Sequence, residues 1–196
     1  MRSGNFHIKP FDNRNLRVFT LKAYLYDKVK SIITRGGERM KKLKIYLDTS
    51  VVSHLDAPDT AEKMQDTLAL WDEIISGVFD VFISDVTIEE LERCSEPKKT
   101  KLYEYLGNID VTRIEETEEA IVLTNKYMEY GVLKEKSRDD CRHIALATIS
   151  GCDCITSWNF KHFVNIKTID KVQAVNKLLG YKEIKIVPPP MLIGGE

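Results

Sequence analysis

Apolar and polar positions follow two rhythms along the chain. Short runs at Leu43–Leu47, Val81–Ile83, Ile109–Ile114, Cys154–Ser157 and Ile184–Val187 read as strands, with Val81–Ile83 a buried one. Between them, apolar residues recur at helical spacing. Met64, Leu68, Trp71 and Ile75 form one stripe over Ala61–Ser76, and Gly77 closes that helix. Further helices are predicted over Val51–Leu55, Thr87–Cys94, Lys98–Leu106, Glu116–Tyr130, Ser137–Ser150 and Asp170–Leu179. Strands separated by helices imply an α/β fold, with a parallel sheet of four to five strands and helices on both faces.

The first 39 residues stand apart from this alternation. Val18, Leu21, Leu25, Val29 and Ile32 fall at helical spacing, but no strand follows until Leu43. Charge marks the same boundary. Residues 1–40 hold nine Lys/Arg against three Asp/Glu, leaving 20 against 27 for the remainder. Met40, two lysines and a strand resemble the start of a domain. Gly36-Gly37-Glu38 can be encoded by a purine-rich ribosome-binding sequence at a suitable distance before the Met40 codon. Residues 1–39 are therefore expected to be translated upstream sequence or a poorly folded extension, with residues 40–196 a single domain. The rival expectation is a genuine basic arm that contacts RNA.

Composition narrows the class without naming a function. The chain has 196 residues, 43% hydrophobic and 30% charged, enough to bury a core. No apolar stretch approaches a membrane span, and residues 1–30 lack a secretory apolar segment, so a cytoplasmic protein is expected. Cys94, Cys141, Cys152 and Cys154 show no paired zinc spacing and are expected to be reduced, mostly buried thiols. The domain is not basic overall, so a nucleic-acid site on it has to be local.

Chemistry enters where acids follow strands. Asp48 closes the apolar run in KIYLDTSVV. Glu89 and Glu90 lie in ISDVTIEELE, after the second run, and Asp139 and Asp140 open the helix in SRDDCRHIALA. Ligands of open parallel sheets bind outside the carboxyl ends of the strands, where these acids fall. Each acid also has a structural reading. Asp48 can cap a helix, and Thr87-x-x-Glu90 and Ser137-x-x-Asp140 both match a capping box. If the acids instead converge, two carboxylates about 4 Å apart repel by roughly 4 kcal/mol at an effective dielectric of 20, so the group holds protons or binds a cation. An open, all-oxygen ligand set favours Mg²⁺ or Mn²⁺, ions suited to phosphate chemistry.

Three segments together, KIYLDTSVV, ISDVTIEELER and DDCRHIALATISGCDCITSWNFKHF, resemble PIN-domain ribonucleases, above all the VapC-type toxins of bacterial and archaeal toxin–antitoxin modules. The resemblance spans about residues 43–187. It implies a PIN-like fold and metal-dependent endonuclease cleavage of RNA, with Mg²⁺ or Mn²⁺ as cofactor. It also implies an antitoxin protein and a second copy of the chain as partners. By position, Asp48, Glu90 and Asp140 match the family's metal-binding acids, with Glu89 and Asp139 as the alternatives. Asn159 stands at the fourth, normally acidic, catalytic position and brings no charge. Ser157, Arg142 and Thr49 are the candidate substrate-positioning residues. His143, three residues after Asp140, is expected as a core or hydrogen-bonded histidine. His162 and Lys161 either touch a phosphate or form a solvated loop pair, and Lys98, Lys99 and Lys101 form a solvated face.

Two other readings compete. One is a catalytically weak PIN-like module that binds RNA or protein, which Asn159 and the acidic net charge favour. The other is phosphate transfer on Asp48. Phosphatases of that kind place a second Asp two residues later, and here that residue is Ser50.

Overall fold

The computed structural model describes residues 42–194; the extension expected over residues 1–39 lies outside them. Five strands form one all-parallel sheet: β1 (Leu43–Leu47), β2 (Phe79–Ser84), β3 (Val111–Ile114), β4 (Cys154–Thr156) and β5 (Lys185–Val187). Their order is β3-β2-β1-β4-β5. Seven α-helices flank the sheet among the described residues: α1 (Thr49–Ser53), α2 (Ala61–Ile75), α3 (Asp85–Glu92), α4 (Lys98–Gly107), α5 (Glu118–Glu129), α6 (Arg138–Ile149) and α7 (Ile166–Leu179). The α/β class and the parallel sheet agree with the sequence pattern.

Strand β1 lies at the centre, and alternation along it sorts side chains to two cores. Ile45 and Leu47 pack on one face with Val51, Leu70, Trp71 and Leu102, from α1, α2 and α4. Tyr46, between them, points to the opposite face and packs with Leu123, Tyr127, Ile144 and Val172, from α5, α6 and α7. All three β1 residues are fully buried. A side chain of this size contributes about 1.5–3 kcal/mol on burial, so β1 is anchored from both sides.

This arrangement creates the crevice. The chain runs outward through β1, β2 and β3, then returns to place β4 against the other edge of β1. Ligand sites in such sheets form where the order reverses, outside the carboxyl ends of the strands. Leu47 pairs with Thr156, so the residues that follow them, Asp48 and Ser157, emerge side by side at that point.

Helix starts differ from expectation by one or two residues at α1, α3, α5 and α6 and by four at α7, and two of these have a visible cause. Helix α3 begins at Asp85, because Ser84 rather than Thr87 is the cap; Ser84 and Thr87 form a reciprocal capping box. Glu90 is therefore a mid-helix residue, not a cap partner. Helix α7 begins at Ile166, four residues before the expected Asp170. Asn165 caps it by accepting from the Thr168 amide (3.0 Å), and exposed Ile166 and Lys167 give its first turn no apolar stripe to read. Gly180 ends α7 in the left-handed conformation (φ 79°), which favours glycine. Among the described residues, no helix is long and apolar enough to cross a membrane.

Candidate metal centre

Asp48 is both a helix cap and a wall of the site. Its Oδ2 accepts from the Ser50 amide (3.3 Å), from the Ser50 hydroxyl, and from Ser157 Oγ (2.8 Å). That leaves Oδ1, which lies 3.7 Å from His143 Nε2. Capping fixes the carboxylate at the start of α1, where the helix dipole favours a negative charge. The Asp48 side chain is only 7% exposed, so its charge requires such partners.

Glu90 reaches the same point from α3. Its Oε2 lies 3.3 Å from His143 Nε2. One ligand atom from each of Asp48, Glu90 and His143 lies within 4.8 Å of the others. Thr49 Oγ1 adjoins Glu90 and is buried without a hydrogen bond of ordinary geometry. Two carboxylates and an imidazole nitrogen are a donor set that fits a divalent cation.

The imidazole is held from behind. His143 is buried on α6, and its Nδ1 lies 2.6 Å from the Tyr46 hydroxyl. That hydroxyl lies 2.5 Å from Ser84 Oγ. Burial acts against a charge on His143, but Tyr46, Glu90 and Asp48 outweigh it and raise the pKa well above the ordinary value. With both nitrogens protonated, Nδ1–H donates to Tyr46, Tyr46 donates to Ser84, and Nε2–H donates to Glu90. Burial likewise pushes the Glu90 carboxyl up, but the His143 hydrogen bond and charge, with Thr49 and Arg93, hold it below the usual range. A proton on His143 Nε2 offsets the repulsion between the two acids, and it has to leave before that nitrogen can take a metal ion.

Asp140 forms an adjoining group one helical turn before His143. Its Oδ1 accepts from Asn159 Nδ2 (3.2 Å), and its Oδ2 lies 2.7 Å from His162 Nδ1. Asn159 Oδ1 in turn accepts from the His162 amide (3.0 Å). Ser157 joins the two groups, donating to Asp48 and accepting from the Asn159 amide (3.0 Å). Burial raises the Asp140 pKa; His162 opposes that rise and Asp48 adds to it, for a net increase. Neither Ser137-x-x-Asp140 nor Thr87-x-x-Glu90 acts as a capping box: the Ser137 side chain makes no cap bond.

The alternative acids face elsewhere. Arg142 binds Glu116 through Nε (2.8 Å) and Nη2 (3.1 Å), and through Nη1 both Glu89 and Asp139 (3.1 Å each). Glu89 and Asp139 are thereby committed to an ion-pair network that also holds Arg142, the residue expected to contact substrate. His143 is the buried, hydrogen-bonded histidine expected, and it also faces Glu90 and Asp48; His162, expected either at a phosphate or in a solvated loop pair, holds Asp140 instead. The i,i+3 spacing from Asp140 was the available signal for His143, while His162 comes in through the turn after β4. No family model matches the chain, and no curated protein is similar enough to it to count as a relative.

Proposed function

We propose that the chain is a metal-dependent endoribonuclease of the PIN-domain type, acting as the toxin of a toxin–antitoxin module in the cytoplasm. The observation that carries this reading is the meeting of buried Asp48 and His143 with half-buried Glu90 at the switch point of a parallel sheet. In this reading these three residues hold Mn²⁺ or Mg²⁺, and the nitrogen donor shifts preference toward Mn²⁺. When bound, the ion supplies charge stabilisation at the phosphate and lowers the pKa of the attacking water. Ser50 and Ser157 keep the Asp48 carboxylate in position. Asp140, held by Asn159 and His162, accepts a proton from the water, a task that its raised pKa suits. Tyr46 fixes the His143 ring, and Thr49 Oγ1 donates toward the phosphate. An antitoxin protein that covers the crevice and a second copy of the chain complete the proposed partners.

A second reading also has support. His143 already offsets the charge of the two acids, and Asn159 supplies none, so a catalytically weak PIN-like module that binds RNA or protein fits the same geometry. Incubating single-stranded RNA with the protein and Mn²⁺, Mg²⁺ or EDTA separates the two. The proposal expects cleavage that needs the ion and disappears in Asp48→Asn. Intact RNA under every condition favours the binding module.

A further inference from the structure

Beside the acid site lies a cavity of about 470 Å³ with the opposite character. Lys134, Lys136, Lys161, Lys167 and Lys171 line it, and among the described residues no Asp or Glu does. Residues 41–196 carry 20 Lys/Arg against 27 Asp/Glu, so a quarter of the domain's fixed cations face one hollow of an otherwise acidic chain. Several cations elsewhere are neutralised: Arg142, Lys101, Lys99 and Lys182 all sit on carboxylates. Lys134, Lys136, Lys161 and Lys167 make no ion pair among the described residues, and Lys171 donates to the Gly131 carbonyl (2.5 Å). Like charges gathered on a concave surface repel one another and focus a positive potential, which an anionic ligand relieves.

The groove borders the Asp140 group next to the metal centre. His162 lines it and at the same time holds Asp140 Oδ2. The lysines come from three segments: the loop before α6, where Ser137 Oγ lies 3.3 Å from His162 Nδ1, the turn after β4 that carries His162, and the first turns of α7, where Lys167 and Lys171 share a face at i,i+4 spacing. We infer that this groove is the track for the phosphodiester backbone of a single RNA strand on one side of the scissile bond, held by charge without reading base sequence. The inference rests on the nuclease reading above and adds the direction in which the strand runs. The exposed lysines act as point charges, so the contact is sequence-tolerant and strongly salt-dependent.

Fluorescence anisotropy of a labelled oligouridine with the full chain in EDTA, across 50–200 mM salt, tests this without cleavage. Lys136→Ala, Lys161→Ala and Lys167→Ala together should lower the log–log salt slope by about 2, at roughly 0.7 per lost single-strand contact, and weaken binding about 10- to 100-fold at 0.1 M salt. The triple Lys→Arg protein should bind like the wild type, and Asp48→Asn should bind without cutting. An unchanged slope and affinity in the triple alanine protein, with its melting temperature retained, overturns the groove while the nuclease reading stands. Poly-glutamate that displaces the RNA as well as unlabelled RNA of equal length overturns it in favour of an acidic protein. Groove-dependent binding with no cleavage in any metal supports the track and counts against the enzyme reading. A wild-type protein that neither binds nor cuts overturns both.

Discussion

The Tyr46 hydroxyl lies 2.6 Å from Nδ1 of His143, linking the central strand of the sheet to the helix that carries the candidate metal ligand. The bond fixes the ring so that Nε2 faces Glu90 and Asp48. Removing the hydroxyl leaves His143 Nδ1 unpaired in a buried site, at a cost of about 1–3 kcal/mol. Partners of this kind typically change metal affinity about 10- to 100-fold. Tyr46→Phe is therefore expected to lower the melting temperature and weaken Mn²⁺ binding by at least tenfold in calorimetry. Wild-type metal affinity in that variant would remove Tyr46 from the account.

Adjacent glutamates on α3 should behave differently. Glu90 faces His143, while Glu89 faces Arg142 on the surface. Glu90→Gln is expected to weaken Mn²⁺ binding more than tenfold, a loss above about 1.4 kcal/mol. Glu89→Gln should leave metal affinity unchanged and alter stability by no more than about 1 kcal/mol, as exposed ion pairs do. Calorimetric titration of both proteins with Mn²⁺ distinguishes them, and equal effects would mean that the face assignment is wrong.

Asn159 separates Asp140 from a further charge. Its Nδ2 donates to Asp140 Oδ1 at 3.2 Å, so Asn159→Asp exchanges a hydrogen bond for a carboxylate pair. Without metal, the variant should be less stable by about 1–3 kcal/mol. With Mg²⁺ or Mn²⁺ it should recover, and Mg²⁺ should bind more tightly than to the wild type. Thermal melts with and without the ion check both statements. A variant that is destabilised equally in both conditions would place Asn159 away from the ion.

The cysteines give a prediction about pH. Burial pushes the thiols of Cys141, Cys152 and Cys154 up to about 12, from an ordinary 9. Only Cys94 is partly exposed. A disulfide reagent at pH 8 should modify Cys94 rapidly and the other three only on unfolding. The unfolded chain releases these protons first, so the thiols' stabilising contribution is complete below about pH 9 and is lost as pH rises toward 12. Four equally fast thiols in the native protein would contradict the buried placement.

Periodicity made the sheet and its helices legible. Runs such as Leu43–Leu47 and stripes such as Met64 to Ile75 reflect local geometry that the chain carries residue by residue. Helix starts were less legible at α3 and α7, because Ser84 and Asn165 act as caps through side chains whose geometry no pattern reveals. Asp48, Glu90 and Asp140 could be singled out from their places after strands and at helix starts. Their division into an Asp48–Glu90–His143 cluster and an Asp140–Asn159–His162 group could not, because it depends on hydrogen bonds between segments up to 109 residues apart. The basic groove was hidden for the same reason: its five lysines are scattered over three segments and converge only in the fold.

The central claim is that one divalent ion site serves RNA cleavage. Its most direct test measures Mn²⁺ binding by calorimetry and Mn²⁺ activation of RNA cleavage on the same protein in the same buffer, for the wild type, Asp48→Asn and His143→Gln. The account predicts that the activation midpoint matches the dissociation constant in the wild type. It predicts that Asp48→Asn loses both, and that His143→Gln shifts both together toward higher Mn²⁺. Cleavage that persists in Asp48→Asn, or in EDTA, would contradict it.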